Sequence, residues 1–436
     1  MSQPTSFFLS DVRCFGGDHW ATLKPITLLV GENSTGKSTF LGCYSVLHRL
    51  LSRSLISGDS ADFNREPFAM GSFRDIVRSR RGPDGRIDKF SLGFRLAPIR
   101  RSSVRPFPLR ITFAEEGSQP VVTSVLYRFG AESFLGMRRS TSGSMLLSIP
   151  DSEAEIDVEF DNWLFVLDIL SQPDLGKIFG NSPDVRSIAN YFLTFFPSTK
   201  TRSNRRAWLP ALSDLVPVAP LRSKPKRTYD PVRETASPEG EHIPMLMMRL
   251  DRTDNSGWTS LHDELVAFGH DSGLFSDIRV RSHGKQMSDP FQLQVKVRSG
   301  SYANLVDVGY GVSQSLPILV DVRSERQRVF LLQQPEVHLH PRAQASLAEL
   351  FVESFRKNRN RFLIETHSDY IVDRIRILVR NQFIKATDVS ILYFEPRRNS
   401  VKIHNISVDK DGNLSGVPDG YRDFFVRETD RLLGFE

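Results

Sequence analysis

Hydrophobic and polar positions follow three successive rhythms along the chain. Phe7 to Phe15 is apolar-rich, Gly16-Gly17-Asp18 interrupts it, and Leu23 to Val30 is a second β-rich run. Two strands joined by a turn are expected there, with a glycine-rich loop after them. From Lys37 to about Leu51, the residues Phe40, Leu41, Tyr44, Leu47, Leu50 and Leu51 recur at helical spacing, so the loop should open directly into a helix. Residues 87–148 change to a period of two: Leu92, Phe94 and Leu96 alternate, and Leu109 to Phe113 and Val121 to Phe129 read the same way. That alternation predicts an antiparallel sheet. Between about 150 and 210 helical spacing returns through Trp163, Val166, Leu167 and Leu170, then Ile188, Tyr191, Phe192 and Phe195, which predicts a helical lobe.

Residues 200–244 are rich in Pro, Arg, Lys and Ser and read as a structured loop joining lobes. A helical stretch is expected from Leu246 to about Phe268, strands near Ile278 and from Phe291 to Val297, and an α/β segment from Leu305 onward. Within that segment Val329 to Leu332 and Arg361 to Ile364 are short apolar runs of the kind buried parallel strands carry. The expected class is α/β, in three parts: 1–150, 151–300 with the helical lobe and connecting segment, and 301–436.

Length and composition narrow this little. A chain of 436 residues fits two or three connected lobes, and 39% hydrophobic with 25% charged residues is ordinary globular usage. The longest apolar runs fall far short of the ~20 residues a membrane span needs. The N-terminal MSQPTSFFLSDVRCF lacks the basic-then-apolar order of a secretion signal. Only Cys14 and Cys43 are present, with no disulfide framework or zinc spacing, so a cytoplasmic protein is expected. Charge changes the picture more: residues 1–110 hold 17 Lys and Arg against nine Asp and Glu. Arg74, Arg78, Arg80, Arg81, Arg86, Arg100, Arg101, Arg105 and Arg110 either form a face attractive to nucleic-acid phosphates or are scattered solvated arginines.

The chemistry begins in the glycine-rich loop. Gly31-Glu-Asn33-Ser34-Thr35-Gly36-Lys37-Ser38 matches G-x-x-x-x-G-K-[ST], the Walker A pattern, and Thr39 follows it. Its glycines let backbone N–H groups turn toward phosphate oxygens, and the helix start adds a positive dipole end. Lys37 should reach the β- and γ-phosphates of ATP, and Ser38 its Mg2+. Downstream, the Val329 run ends in Gln333-Gln334-Pro335-Glu336-Val337-His338-Leu339-His340-Pro341, and the Arg361 run ends in Glu365-Thr366-His367-Ser368. Strand ends that deliver polar residues to one crevice are how an open α/β sheet builds its site. The pair His338 and His340 would share a face only on a strand, and no third ligand is spaced to complete a metal site.

The segments GENSTGKST, VGYGVSQSLPIL, LLQQPEVHLHP and IETHSDYIVDRI, in this order, resemble the ABC-type ATPases related to SMC, recombination-repair and OLD proteins. Within these they are most similar to the compact bacterial ATPases of anti-phage systems such as Septu and PARIS. The resemblance implies an ABC-type head with a mixed central sheet, an antiparallel β subdomain and a helical lobe. It implies that Gly309 to Gln314 is a signature segment whose Ser313 and Gln314 contact the γ-phosphate held by a second copy. A head-to-tail homodimer or higher homo-oligomer would then sandwich ATP, with a separate effector as partner. His338 to Pro341 resembles the D-loop and His367 the switch histidine, while Gln333 falls where a Mg2+ ligand is carried.

At its most chemical point the chain departs from this family, carrying Gln333 and Gln334 where carboxylates are usual. An amide has no useful basicity near neutral pH. Glu336 is the nearest carboxylate, and we take it as the candidate base. Either the glutamines are natural and hydrolysis is slow, or Gln333 replaces a glutamate and traps the bound state. Three functions compete: a nucleotide switch governing an effector such as a nuclease, a DNA-repair ATPase clamping DNA, and a self-contained OLD-type nuclease. Coiled-coil heptads supporting the second are not seen between residues 130 and 300. The 69 residues after His367 are too few for the third.

Overall fold

The period-two segments pair as their alternation requires. In the computed structural model, which describes residues 4–52, 61–79, 81–82, 85–96, 107–128, 134–139, 145–148, 156–158, 212–231, 235–421, 430–431 and 433, the chain forms two compact units. The first comprises residues 1–23, 34–213 and 396–403; the second comprises 24–33, 214–395 and 404–436. Apart from 156–158, the helical lobe expected between about 150 and 210 lies outside the described residues.

The first unit holds an eight-stranded sheet in the order Ile156–Val158, Met145–Ser148, Phe134–Arg139, Gln119–Arg128, Phe107–Glu116, Lys89–Leu96, Pro4–Val12, Phe15–Thr22. Every neighbouring pair in it is antiparallel. Phe90, Leu92 and Phe94 lie beside Phe113, Ile111 and Leu109 on one buried face, while Ser91, Thr112 and Arg110 alternate to the other. The buried face meets the helix Lys37–Ser52, where Phe7 packs edge-on against Phe40 at 4.9 Å and Tyr44 against Phe94 at 5.2 Å. The turn between the first two strands falls at Arg13-Cys14, not at Gly16 to Asp18, which run inside the second strand. A side chain sets the turn there: the Asp11 carboxylate accepts from the Gly17 N–H at 3.1 Å, and Asp11 and Arg13 both take left-handed φ.

The second unit is built on a seven-stranded sheet in the order Leu215–Val218, Val329–Gln333, Arg361–Glu365, Ile26–Gly31, Val389–Arg397, Ser400–Val408, Leu414–Ser415. The first five strands are parallel and the last pairs antiparallel with its neighbour, so the sheet is mixed, as expected. Val329–Gln333 is buried on both faces, and Phe330 stacks on Phe362 at 5.2 Å. Leu215–Val218 is a strand within the segment read as loop. It sits at the sheet edge, where the missing N–H of Pro217 is tolerated. The helical stretch expected from Leu246 to Phe268 is two helices, Ile243–Thr253 and Asn255–Ser272, separated at Asp254, whose carboxylate accepts from the Gly257 N–H at 2.9 Å and caps the second. A three-stranded antiparallel sheet, Asp277–Ser282, Phe291–Lys296 and Tyr302–Asn304, and the helices Tyr310–Ser324, Pro341–Asn358 and Asp369–Arg380 complete the unit. Among the described residues no helix is long and apolar enough to cross a membrane.

Candidate nucleotide-binding and hydrolysis site

Glycine is required at both ends of the Walker A loop. Gly31 has φ +140°, and a Cβ there would stand 2.6 Å from the Phe394 carbonyl oxygen. Gly36 has φ +84°, and its Cβ would stand 2.5 Å from Cys14 Sγ. With Ser34 also left-handed at φ +61°, successive N–H groups turn into the concave form that receives anions. The helix opens at Lys37 with no acidic residue in its first turn, so nothing offsets its positive end. Asn33, Ser34 and Ser38 are exposed, whereas Thr35, Lys37 and Thr39 are buried. Lys37 Nζ donates to Thr35 Oγ1 at 3.5 Å. An ammonium kept out of water needs anionic or strong polar partners, and the loop is shaped for the phosphates of a nucleotide. Thr39 Oγ1 accepts from Arg13 Nη1 at 3.2 Å, and the same guanidinium donates to the carbonyls of Met70 at 2.8 Å and Asp75 at 3.0 Å. Arg13 thereby anchors the first turn of the helix.

A second polar cluster lies at the ends of Val329–Gln333 and Arg361–Glu365, within the second unit. Gln333 is 7% exposed and its Oε1 has no hydrogen-bond partner. Gln334 takes left-handed φ +42° and donates its N–H to the Glu365 carbonyl at 2.8 Å. Glu336 is 9% exposed; its Oε1 accepts from the His367 N–H at 2.7 Å, and its Oε2 meets no donor at hydrogen-bond geometry. Burial raises the Glu336 carboxyl above the usual carboxylate range, against the opposing influence of the His367 N–H, its own N–H, the Thr366 hydroxyl and Arg222. Upward is the direction a base working near neutral pH requires. Arg222 is buried too, and desolvation brings it down to about 10, with Glu336 acting in the opposite sense. Buried acceptors without donors are places for an ion or an ordered water, and the neutral oxygen of Gln333 suits Mg2+, which takes few protein ligands beside phosphate and water. Among the described residues no group of three His, Cys, Asp or Glu could hold a metal ion.

His367 is exposed at its strand end, between buried Thr366 and Ser368. Ser368 Oγ caps the helix Asp369–Arg380 by accepting from the Ile371 N–H at 3.2 Å. His338 has φ +66° and its ring lies 5.7 Å from that of Tyr310, while His340 Nδ1 accepts from the Arg342 N–H at 3.3 Å and caps the helix Pro341–Asn358. The two histidines therefore do not share a strand face. In the signature segment the Ser313 hydroxyl donates to the Tyr310 carbonyl at 3.1 Å. The Gln314 amide is buried and used twice within its own chain, accepting from the Arg222 N–H at 3.1 Å and donating to the Arg222 carbonyl at 3.3 Å. Sequence reasoning singled out neither Arg13 nor Arg222, because a lone arginine in an irregular segment has no spacing to mark it.

Several arginines of the basic N-terminal part are already engaged within the first unit. Arg74 donates to Glu115 at 2.8 Å, Arg110 pairs with Asp18 at 2.8 Å and covers the Phe8 ring at 4.0 Å, and Arg78 donates to the Asn399 carbonyl at 3.0 Å. Arg80, Arg100, Arg101 and Arg105 lie outside the described residues; with the charges of Arg74 and Arg110 paired to carboxylates, nucleic-acid binding is expected to be weak and to vanish with added salt, because each phosphate contact releases counterions. A filter-binding titration between 50 and 200 mM salt checks this; tight binding that persists at about 200 mM would contradict it.

A parallel strand that passes through a glycine turn into a buried lysine and a helix start is the construction of a P-loop ATPase, and the chain is one of these. It belongs to the family described as AAA domain, putative AbiEii toxin, Type IV TA system, whose model matches residues 26–373. No curated protein matches the chain. Solved structures similar to it include an Smc head bound to the C-terminal winged-helix domain of ScpA, with 10% identity, 93% of this chain and 98% of that chain covered and a TM-score of 0.47. Others are an Smc head domain with an extended coiled coil bound to the C-terminal domain of ScpA from Pyrococcus furiosus (11%, 99% and 100%, 0.43) and the SMC head domain from Thermotoga maritima (10%, 93% and 100%, 0.37).

Proposed function

We propose that this ATPase is a slow nucleotide switch in bacterial anti-phage defence, which closes two copies on ATP and thereby governs a separate effector, a nuclease. The observation that carries the reading is the pair of amides, Gln333 and Gln334, at the strand end of a chain whose P-loop sequence has every residue for phosphate binding. Such a chain retains nucleotide longer than it turns it over. Bound Mg2+ supplies charge neutralisation at the phosphates. Lys37 and the loop from Asn33 to Thr39 would bind and orient, Ser38 and Gln333 would be the ion's ligands as the sequence resemblance implies, and Glu336 would take the proton of the attacking water in place of the missing carboxylates. His367 responds to the terminal phosphate. The signature segment meets the nucleotide held by the second copy through its exposed start, Gly309 and Tyr310, because Ser313 and Gln314 are buried and engaged within their own chain.

The test is turnover of the purified protein together with sedimentation in ATP, in ADP and without nucleotide. Expected is turnover at least about a hundredfold below the ~10 s⁻¹ of a typical enzyme, with association in ATP alone, since ATP becomes part of the interface and stabilises it by mass action. Equal sedimentation in ATP and ADP would sink the switch.

A further inference from the structure

Arg222 touches both the strand-end turn and the signature helix. Its Nη2 donates to the Gln334 carbonyl at 3.4 Å and its Nη1 to the Pro220 carbonyl at 3.2 Å. Its backbone N–H and carbonyl are both held by the Gln314 side chain. The turn it touches is conformationally costly, because Gln334 is left-handed without being glycine, and such a residue persists only where its surroundings over-determine it. The determinants here are Arg222 at 3.4 Å and the Val337 N–H at 3.3 Å, both on the carbonyl, and the Glu365 carbonyl on the N–H. Two residues further on, Glu336 is fixed by the His367 N–H.

The segment that carries Arg222 is tied to the stretch that runs along the helix. Ala219 N–H bonds the Pro238 carbonyl and Ser223 N–H the Glu239 carbonyl, both at 2.9 Å. Gly240 lies against Pro317, where a Cβ would stand 2.5 Å from the proline ring. His242 Nδ1 accepts from the Ser237 N–H at 3.2 Å, which places the ring proton on Nε2, donating to Asp321 Oδ1 at 3.1 Å. Gln314, Pro317 and Asp321 stand three and four residues apart, on one face of the helix. A strap anchored at three points along that face thus ends in a guanidinium on the turn.

We propose that Arg222 is a positioning residue for ATP hydrolysis: it fixes the Gln333–Glu336 turn so that Glu336 is held in place, and ties that turn through Gln314 to the Tyr310–Ser324 helix. The proposal rests on the ATPase reading in assigning Glu336 to hydrolysis; the tie between turn and helix does not. Arg222 touches no reacting atom and acts through the backbone of Gln334.

The experiment compares wild type, Arg222→Gln and Arg222→Lys in kcat, KM and amide exchange of the nucleotide-free protein, with the strand Phe291–Lys296 as a control for general loosening. For Arg222→Gln, kcat should fall by about 10² with KM within about twofold, the size of effect that a displaced reacting group produces. Exchange should rise over 309–318 and 333–338 but not over 291–296. Arg222→Lys should recover part of kcat, because an ammonium can still donate to one carbonyl but lacks the fork that reaches two. Unchanged kcat in a folded Arg222→Gln, a rise in KM alone, or unchanged exchange over both segments would each overturn the proposal. If Arg222→Gln does not fold, Arg222→Lys decides alone: kcat and exchange equal to wild type would overturn it, an intermediate kcat with raised exchange supports it. A wild type that neither binds nor hydrolyses ATP would end the ATPase reading instead, and the exchange measurement would still decide whether Arg222 ties the turn to the helix.

Discussion

Replacing Lys37 with alanine is expected to weaken ATP binding by about 10²–10⁴-fold while leaving a folded protein. Hydrogen bonds to charged groups contribute about 1.5–3 kcal/mol each, and loss of two, at the β- and γ-phosphates, is about 3–6 kcal/mol; each 1.4 kcal/mol is tenfold in Kd. Burial strengthens the expectation, since Lys37 is only 3% exposed and no water can readily take its place against the phosphates. Folding should survive, because the substitution leaves the loop glycines and the Arg13–Thr39 anchor intact. Calorimetric titration with a non-hydrolysable ATP analogue, alongside a melting curve, checks both halves. Unchanged affinity in a folded variant would remove the P-loop from the nucleotide site.

Much of this architecture was legible because its signals are local. The alternation of Phe90, Leu92 and Phe94 marks a half-buried strand whatever its partner, and the helical recurrence from Phe40 to Leu51 marks the helix that the sheet buries. The strands Val329–Gln333 and Arg361–Glu365 were found from continuous apolar runs, which fully buried parallel strands share. Less legible was whatever depends on distant partners. Leu215–Val218 became a strand only because an edge was open beside Val329–Gln333, and its Pro217 argued locally for loop. Asp254 split one helical pattern into two by capping, an act of one carboxylate that periodicity does not register. In the site, Walker A declared itself by spacing, whereas the role of Arg222 depends on four hydrogen bonds to residues near it in space, three of them far along the chain. The positions of Ser313 and Gln314 could be carried over from a resemblance, but not the use of the Gln314 amide to hold the Arg222 backbone.

Restoring a carboxylate at the strand end should accelerate hydrolysis, and the two glutamines should respond differently. Gln334 is half-buried, so Gln334→Glu places its new charge where water still reaches it and where the Arg222 guanidinium already lies on the residue's own carbonyl. Little stability should be lost. A positioned general base is worth about 10²–10⁴ in rate, and turnover should rise by that order if proton removal from the attacking water is what limits it. Gln333 is 7% exposed with an orphaned Oε1, and Gln333→Glu buries a third carboxylate in the cluster that holds Glu336 and Glu365, the latter its partner across the strand pair. Without an ion this variant should melt at a lower temperature than wild type, since a buried charge without a partner is expensive, and Mg2+ with a non-hydrolysable ATP analogue should restore it, because binding to the folded state alone stabilises that state by mass action. Its turnover should rise less than that of Gln334→Glu, an ion ligand not being a base. The measurements are steady-state turnover of the three proteins side by side and their melting curves with and without Mg2+ and the analogue. Fast turnover in the wild type, with no gain in either variant, would show that Glu336 already serves as a full base. A melting temperature for Gln333→Glu that does not respond to Mg2+ and nucleotide would take Gln333 out of the ion site.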